Sequence, residues 1–109
     1  MREVQGLSKA FGKVIAERRA KRGISQEQLA EAIDSTNVYI SLLESGLRKP
    51  SLNSTILIAQ SLEIQPDTLI EQVVVLLKQK NVDNVDGKGW IWDTNFIYGN
   101  EFVSNFVSN

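Results

Sequence analysis

Gly23-Ile24-Ser25-Gln26-Glu27-Gln28-Leu29-Ala30, followed after a short break by Thr36-Asn37-Val38-Tyr39-Ile40-Ser41-Leu42-Leu43-Glu44-Ser45-Gly46, is the stretch whose reading decides the fold. Ser25 and Gln28 form a capping-box pair, in which the hydroxyl takes a free N–H of the first turn and the glutamine reaches back. The helix that Ser25 opens runs through Leu29 and Ala30 to the neighbourhood of Ile33. Asp34-Ser35 interrupts it, and Ser35 or Thr36 caps the next helix. That helix carries Ile40 and Leu43 on its inner face, ends at Glu44 or Ser45, and meets a stop signal in Gly46. Ala30 is small where the two helices would cross. Two short helices joined at a steep angle by a tight turn form a unit whose second helix projects into a DNA major groove.

Working outward, residues 7–22 read as a helix with Leu7, Phe11, Val14 and Ile15 on one stripe and Gly23 as its left-handed terminator. Lys9, Lys13, Arg18, Lys21 and Arg22 lie off that stripe, and the cations near its end suit the helix dipole. After Arg48-Lys49-Pro50, Ser51 opens a fourth helix carrying Ile56, Leu57, Ala59 and Leu62. Pro66 suits the first position of a fifth helix, with Asp67 beside it. Leu69, Ile70, Val73, Val74 and Leu77 form the stripe of this helix, and Val75 and Leu76 widen it beyond what one core needs. The expected fold class is all-α, with five helices joined by short connections.

The composition changes after Lys80, which divides the chain into residues 1–80 and an extension, 81–109. Asn81 to Gly89 is polar with two glycines and reads as a linker or turn. Residues 90–109 hold six of the eight aromatics, and Trp90-Ile91-Trp92 and Phe96-Ile97-Tyr98 are spaced for a β-hairpin with a three-residue loop. The chain closes on a tandem Phe-Val-Ser-Asn to which no purpose is assigned.

The 109 residues contain no cysteine and no histidine. Disulfides, thiolate nucleophiles, the usual general base and most transition-metal sites are thereby removed, so neither an enzyme nor a cofactor or metal is expected. No run approaches the roughly 18 apolar residues of a membrane span, and no signal-peptide core is present, so a cytoplasmic location is expected. Net charge is -1, but residues 1–50 carry nine Lys or Arg against six acids, and residues 51–109 three against seven. That asymmetry suits a polyanion at one end, although a solvated helix face would look the same.

The string from Gly23 to Gly46 resembles the Cro and lambda-repressor-like helix-turn-helix family, of the xenobiotic-response-element type. The resemblance continues through Pro50-Ser51 and Ile58-Ala59-Gln60-Ser61-Leu62 and covers residues 7–77. It implies a five-helix DNA-binding domain whose third helix reads bases. Thr36, Asn37, Val38, Ser41 and Leu42 match the family's base-contacting positions, though relatives often carry a polar residue where Leu42 stands. Asn37 can pair twice with adenine, and Val38 can pack on thymine methyls. Gln26 matches a phosphate-contacting glutamine, at a helix start that suits an anion. Arg48 and Lys49 occupy a loop that touches phosphates in relatives. Because helix three has no cation, Arg18, Lys9 and Lys13, which flank the motif, are expected to add backbone affinity, and Tyr39 could bond a phosphate or equally brace the helix. Arg19 and Glu44 match a structural ion pair joining the first helix to the third.

The function expected is a sequence-specific DNA-binding transcriptional regulator, a repressor acting as a homodimer on a palindromic double-stranded operator. Helix three has no Lys or Arg, so one copy should bind weakly. Val75, Leu76, Trp90 and Trp92 are the dimerisation candidates. The alternative is an antitoxin or other interaction module of the same fold, its aromatic tail binding a partner protein. No membrane partner is expected.

Overall fold

Four polar or imino-acid positions start four helices. Ser25, Thr36 and Ser51 each accept a main-chain N–H three residues on, from Gln28, Tyr39 and Ser54. Pro66 opens the last helix, where a missing N–H costs nothing. The resulting elements are α1 (Leu7–Arg22), α2 (Gln26–Ala32), α3 (Asn37–Glu44), α4 (Leu52–Ser61) and α5 (Pro66–Asp83). The structure is a computed structural model that describes residues 1–83. Among the described residues it is all-helical, as the periodicity implies. The hairpin expected in the aromatic extension, with Trp90 and Trp92, lies outside the described residues. The chain divides into two units, with the boundary after Val73 inside α5.

Helices α1 to α4 all end in the same way. In each, the N–H groups of the left-handed residue and of the residue after it donate to carbonyls in the last turn: Gly23 to Ala20 and Ile24 to Arg19, Asp34 to Glu31 and Ser35 to Ala30, Gly46 to Leu43 and Leu47 to Leu42, Glu63 to Gln60 and Ile64 to Ala59. This is the Schellman motif, which satisfies the orphan carbonyls and needs a left-handed residue. Two of the four left-handed positions are glycine, with φ 69° at Gly23 and 79° at Gly46. The others, Asp34 at 55° and Glu63 at 56°, adopt that conformation at a cost of about 1 kcal/mol each. Glu63 is also paired with Arg22 at 2.6 Å.

The core of the first unit is built from Ala10, Phe11, Val14 and Ile15 of α1, Leu29 and Ala30 of α2, and Ile40 and Leu43 of α3. Ile58 and Ala59 of α4 and Leu69 and Val73 of α5 complete it, with Ile33 and Leu62 at helix ends. Of the apolar residues read on the fourth helix, Ala59 and Leu62 enter the core and Ile56 does not. Thr55, Ile58, Ala59 and Leu62 face inward, whereas Ile56 is exposed and Leu57 half-buried. Residues 52, 55, 56 and 59 share the same three, four and seven spacing as 55, 58, 59 and 62, so periodicity alone does not choose between them, and packing selects the second set. Thr55 is tolerated inside because its hydroxyl donates to the Ser51 carbonyl at 2.8 Å. In α5 the stripe is also narrower than expected, since Ile70 is exposed. In the second unit Leu77 is buried, Leu76 half-buried and Val75 exposed. The helix continues to Asp83, past the start of the stretch read as a linker.

Candidate nucleic-acid interface

Helix α3 packs against α1 and α2, which leaves one face outward. Ile40 and Leu43 are fully buried and fix its rotation. The opposite side then presents Asn37, Val38 and Ser41, all exposed, with Val38 at 66%. Thr36 sits at the N-cap with its hydroxyl committed to the Tyr39 N–H, and Leu42 is half-buried at the edge of the face. An exposed valine on a helix whose core face is already full has no packing role within this unit.

α3 approaches α1 closely because Gly12 has no side chain. A Cβ at Gly12 would lie 2.3 Å from the Leu43 carbonyl oxygen and 2.6 Å from that of Glu44. Nothing in the sequence pattern marks this contact, because a helical glycine is usually only a weak point. Beside it, Arg19 reaches across from α1 and binds Glu44 with two N–H groups. Nε donates to Oε2 at 2.7 Å and Nη2 to Oε1 at 3.0 Å, while Nη1 donates to the Ile24 carbonyl at 2.9 Å. The Glu44 side chain is only 8% exposed. Its hydrogen bonds hold the Arg19 guanidinium protonated beyond its usual range, and charge attraction adds to this against partial desolvation. The expected pair is thus present.

The remaining site residues fall into two groups. Asn37, Val38, Ser41, Arg48 and Lys49 are exposed; the last two stand in the loop between α3 and α4, and the Lys49 ammonium meets the Glu3 carboxylate of the N-terminal arm. Gln26, Arg18 and Tyr39 have protein partners. Gln26 Nε2 donates to Glu44 Oε1 at 2.8 Å, Arg18 Nε donates to Gln72 Oε1 of α5 at 3.0 Å, and the Tyr39 hydroxyl lies 2.7 Å from Ser54 Oγ. Glu3, Gln72 and Ser54 carry no motif signal, so sequence reasoning passes over them. Among the described residues, no helix is long and apolar enough to cross a membrane, and no cluster of acids could hold a metal.

A helix-turn-helix family model matches residues 15–69. An uncharacterized HTH-type transcriptional regulator of Rickettsia conorii is 32% identical over 68 residues, covering 62% of this chain and 54% of its own length. One from Mycobacterium tuberculosis is 35% identical over 65 residues, covering 60% and 46%. The chain thus spans about half the length of the curated relatives it matches. The restriction-modification controller protein C.AhdI from Aeromonas hydrophila superimposes with a TM-score of 0.55 at 34% identity, over 57% of this chain and 94% of that one. The clp gene regulator ClgR from Corynebacterium glutamicum has a TM-score of 0.67 over 85% of this chain and 95% of its own, but at 18% identity shows the fold alone. The family match runs from the middle of α1 into the first turn of α5 and includes both α2 and α3; the protein belongs to the Cro and lambda-repressor-like helix-turn-helix family of DNA-binding transcriptional regulators.

Proposed function

We propose that this protein binds a specific double-stranded DNA operator through α3 and represses transcription as a homodimer. The observation that carries the reading is the outward face of α3, where Asn37, Val38 and Ser41 are exposed while Ile40 and Leu43 are fully buried. Asn37 and Val38 present a bidentate amide and a methyl-bearing surface, suited to adenine and thymine in the major groove. Thr36, Ser41 and Leu42 border them. The Arg48–Lys49 loop, with Gln26 and Arg18 as further candidates, supplies phosphate contacts that orient the helix without reading sequence.

Two copies would place two α3 helices in successive major grooves about 34 Å apart, which matches a palindromic operator. Residues 1–80 act as the DNA-binding part and 81–109 as the dimerising one. The likeness to a restriction-modification controller protein supports control of a restriction-modification system as one setting. An antitoxin-like module, with the aromatic tail on a partner protein, is the second reading; its support is the concentration of six aromatics in residues 90–109.

Selection from a random duplex pool tests the function. The full chain should enrich a two-fold symmetric site, and Asn37→Ala should lose about 1–3 kcal/mol on that site and much less on random DNA. An unenriched pool would remove the DNA reading, and an unchanged base preference would remove Asn37 from it.

A further inference from the structure

The loop that carries Arg48 and Lys49 is tied to α3 at both ends, by bonds of different kinds. It leaves α3 on main-chain bonds, from Gly46 N–H to the Leu43 carbonyl and from Leu47 N–H to the Leu42 carbonyl. It ends at Ser51, the N-cap of α4, and there the link back to α3 is made of side-chain hydroxyls. Ser51 Oγ donates to Ser54 Oγ at 3.1 Å and accepts the Ser54 N–H at 3.0 Å, and Ser54 Oγ lies 2.7 Å from the Tyr39 hydroxyl. A chain of three hydroxyls therefore runs from the half-buried flank of α3 to the far end of the cationic loop.

We propose that Tyr39 and Ser54 are positioning residues that hold the Arg48–Lys49 loop in register with the outward face of α3. The proposal rests on the DNA-binding reading above. Tyr39 acts here through Ser54 and not by touching DNA. A specific complex needs Asn37 and Val38 at base edges while the two cations meet phosphates, so both surfaces must be aligned at once. A non-specific complex needs only the phosphates, which a displaced loop still reaches. Losing the hydroxyl link therefore penalises specific binding selectively. The fold does not depend on it, because Thr55, Ile58, Ala59 and Leu62 already hold α4 in the core.

The test measures affinity of the full chain for a duplex enriched by selection and for an unrelated duplex of the same length, at two salt concentrations. Tyr39→Phe and Ser54→Ala should each lower the ratio of the two affinities by about three- to tenfold, the worth of one net hydrogen bond. The double variant should fall no further than either single one, since both remove the same link. Ser54→Thr, which keeps a hydroxyl, should restore most of the ratio. Helix content and thermal midpoint should stay near wild type. If Tyr39→Phe weakens both duplexes alike while Ser54→Ala changes neither, Tyr39 contacts phosphate and the proposal is wrong. Equal losses on both duplexes for both variants, or a lowered midpoint with an unchanged ratio, overturn it too. Failure of the wild-type chain to prefer any selected duplex would overturn the DNA reading itself, and this proposal with it.

Discussion

Gln26 Nε2 donates to Glu44 Oε1 at 2.8 Å, on the same carboxylate that receives two N–H groups from Arg19. The first residue of α2, the last of α3 and the body of α1 thus converge on one nearly buried carboxylate. Such a group fixes orientation more than it stabilises, yet its removal leaves Arg19 without a counter-charge in partial burial.

Glu44→Ala should therefore destabilise the protein by about 3 kcal/mol, at the lower end for a broken buried pair because Arg19 keeps 20% of its side-chain exposure. Glu44→Gln, which keeps an acceptor, should cost less. Urea unfolding followed by helix content measures both. A loss below about 1 kcal/mol for the alanine variant would show that the pair behaves like an exposed one.

Gly12→Ala should destabilise, against the usual sign for a helix interior. Alanine there normally gains about 1 kcal/mol through propensity. At this position its methyl would meet the main-chain carbonyls of Leu43 and Glu44, which cannot swing away as a side chain would. A net loss of about 2–3 kcal/mol is expected, and the same unfolding experiment reads it. A stabilised variant would mean that α1 and α3 are further apart than described.

Lys49 and Glu3 should affect DNA affinity in opposite directions. Lys49→Ala should weaken binding to all sequences nearly equally and reduce the salt slope by about one, and Arg48→Ala should do likewise. Glu3→Gln frees the Lys49 ammonium from its intramolecular partner and should raise affinity at low salt by about two- to threefold, fading as salt rises. Titration of a labelled duplex across salt concentrations separates these effects. A sequence-dependent change for Lys49→Ala would contradict a phosphate role.

The extension should matter for assembly. Val75 is 46% exposed and Leu76 half-buried beside the buried Val73 and Leu77, so α5 leaves apolar surface in solvent midway along its length. Val75, Leu76, Trp90 and Trp92 are proposed to meet their counterparts in a second copy. Ending the chain at Asp86 should leave a helical domain with weaker self-association and lower operator affinity. Sedimentation compares the two forms, and a truncated dimer as tight as the full-length one would assign the tail another role.

Helix limits were legible in the sequence wherever the signal is local. Ser25, Thr36 and Ser51 act on N–H groups three residues ahead, and Pro66 on its own main chain, so their neighbours alone determine α2 to α5 at the N-terminal side. Gly23 and Gly46 marked two of the four left-handed stops, while Asp34 and Glu63 carry the same conformation with residues that do not announce it. The motif string, through its order and spacing, was enough to expose the outward face of α3 and the Arg19–Glu44 pair. The tertiary structure alone decided the rest: which face of α4 turns inward, why position 12 has no side chain, that Gln26 answers to Glu44, and that Tyr39 answers to Ser54. Those contacts join residues 15 or more positions apart, and their partners are set by how helices pack, a relation that no local periodicity or capping pattern records.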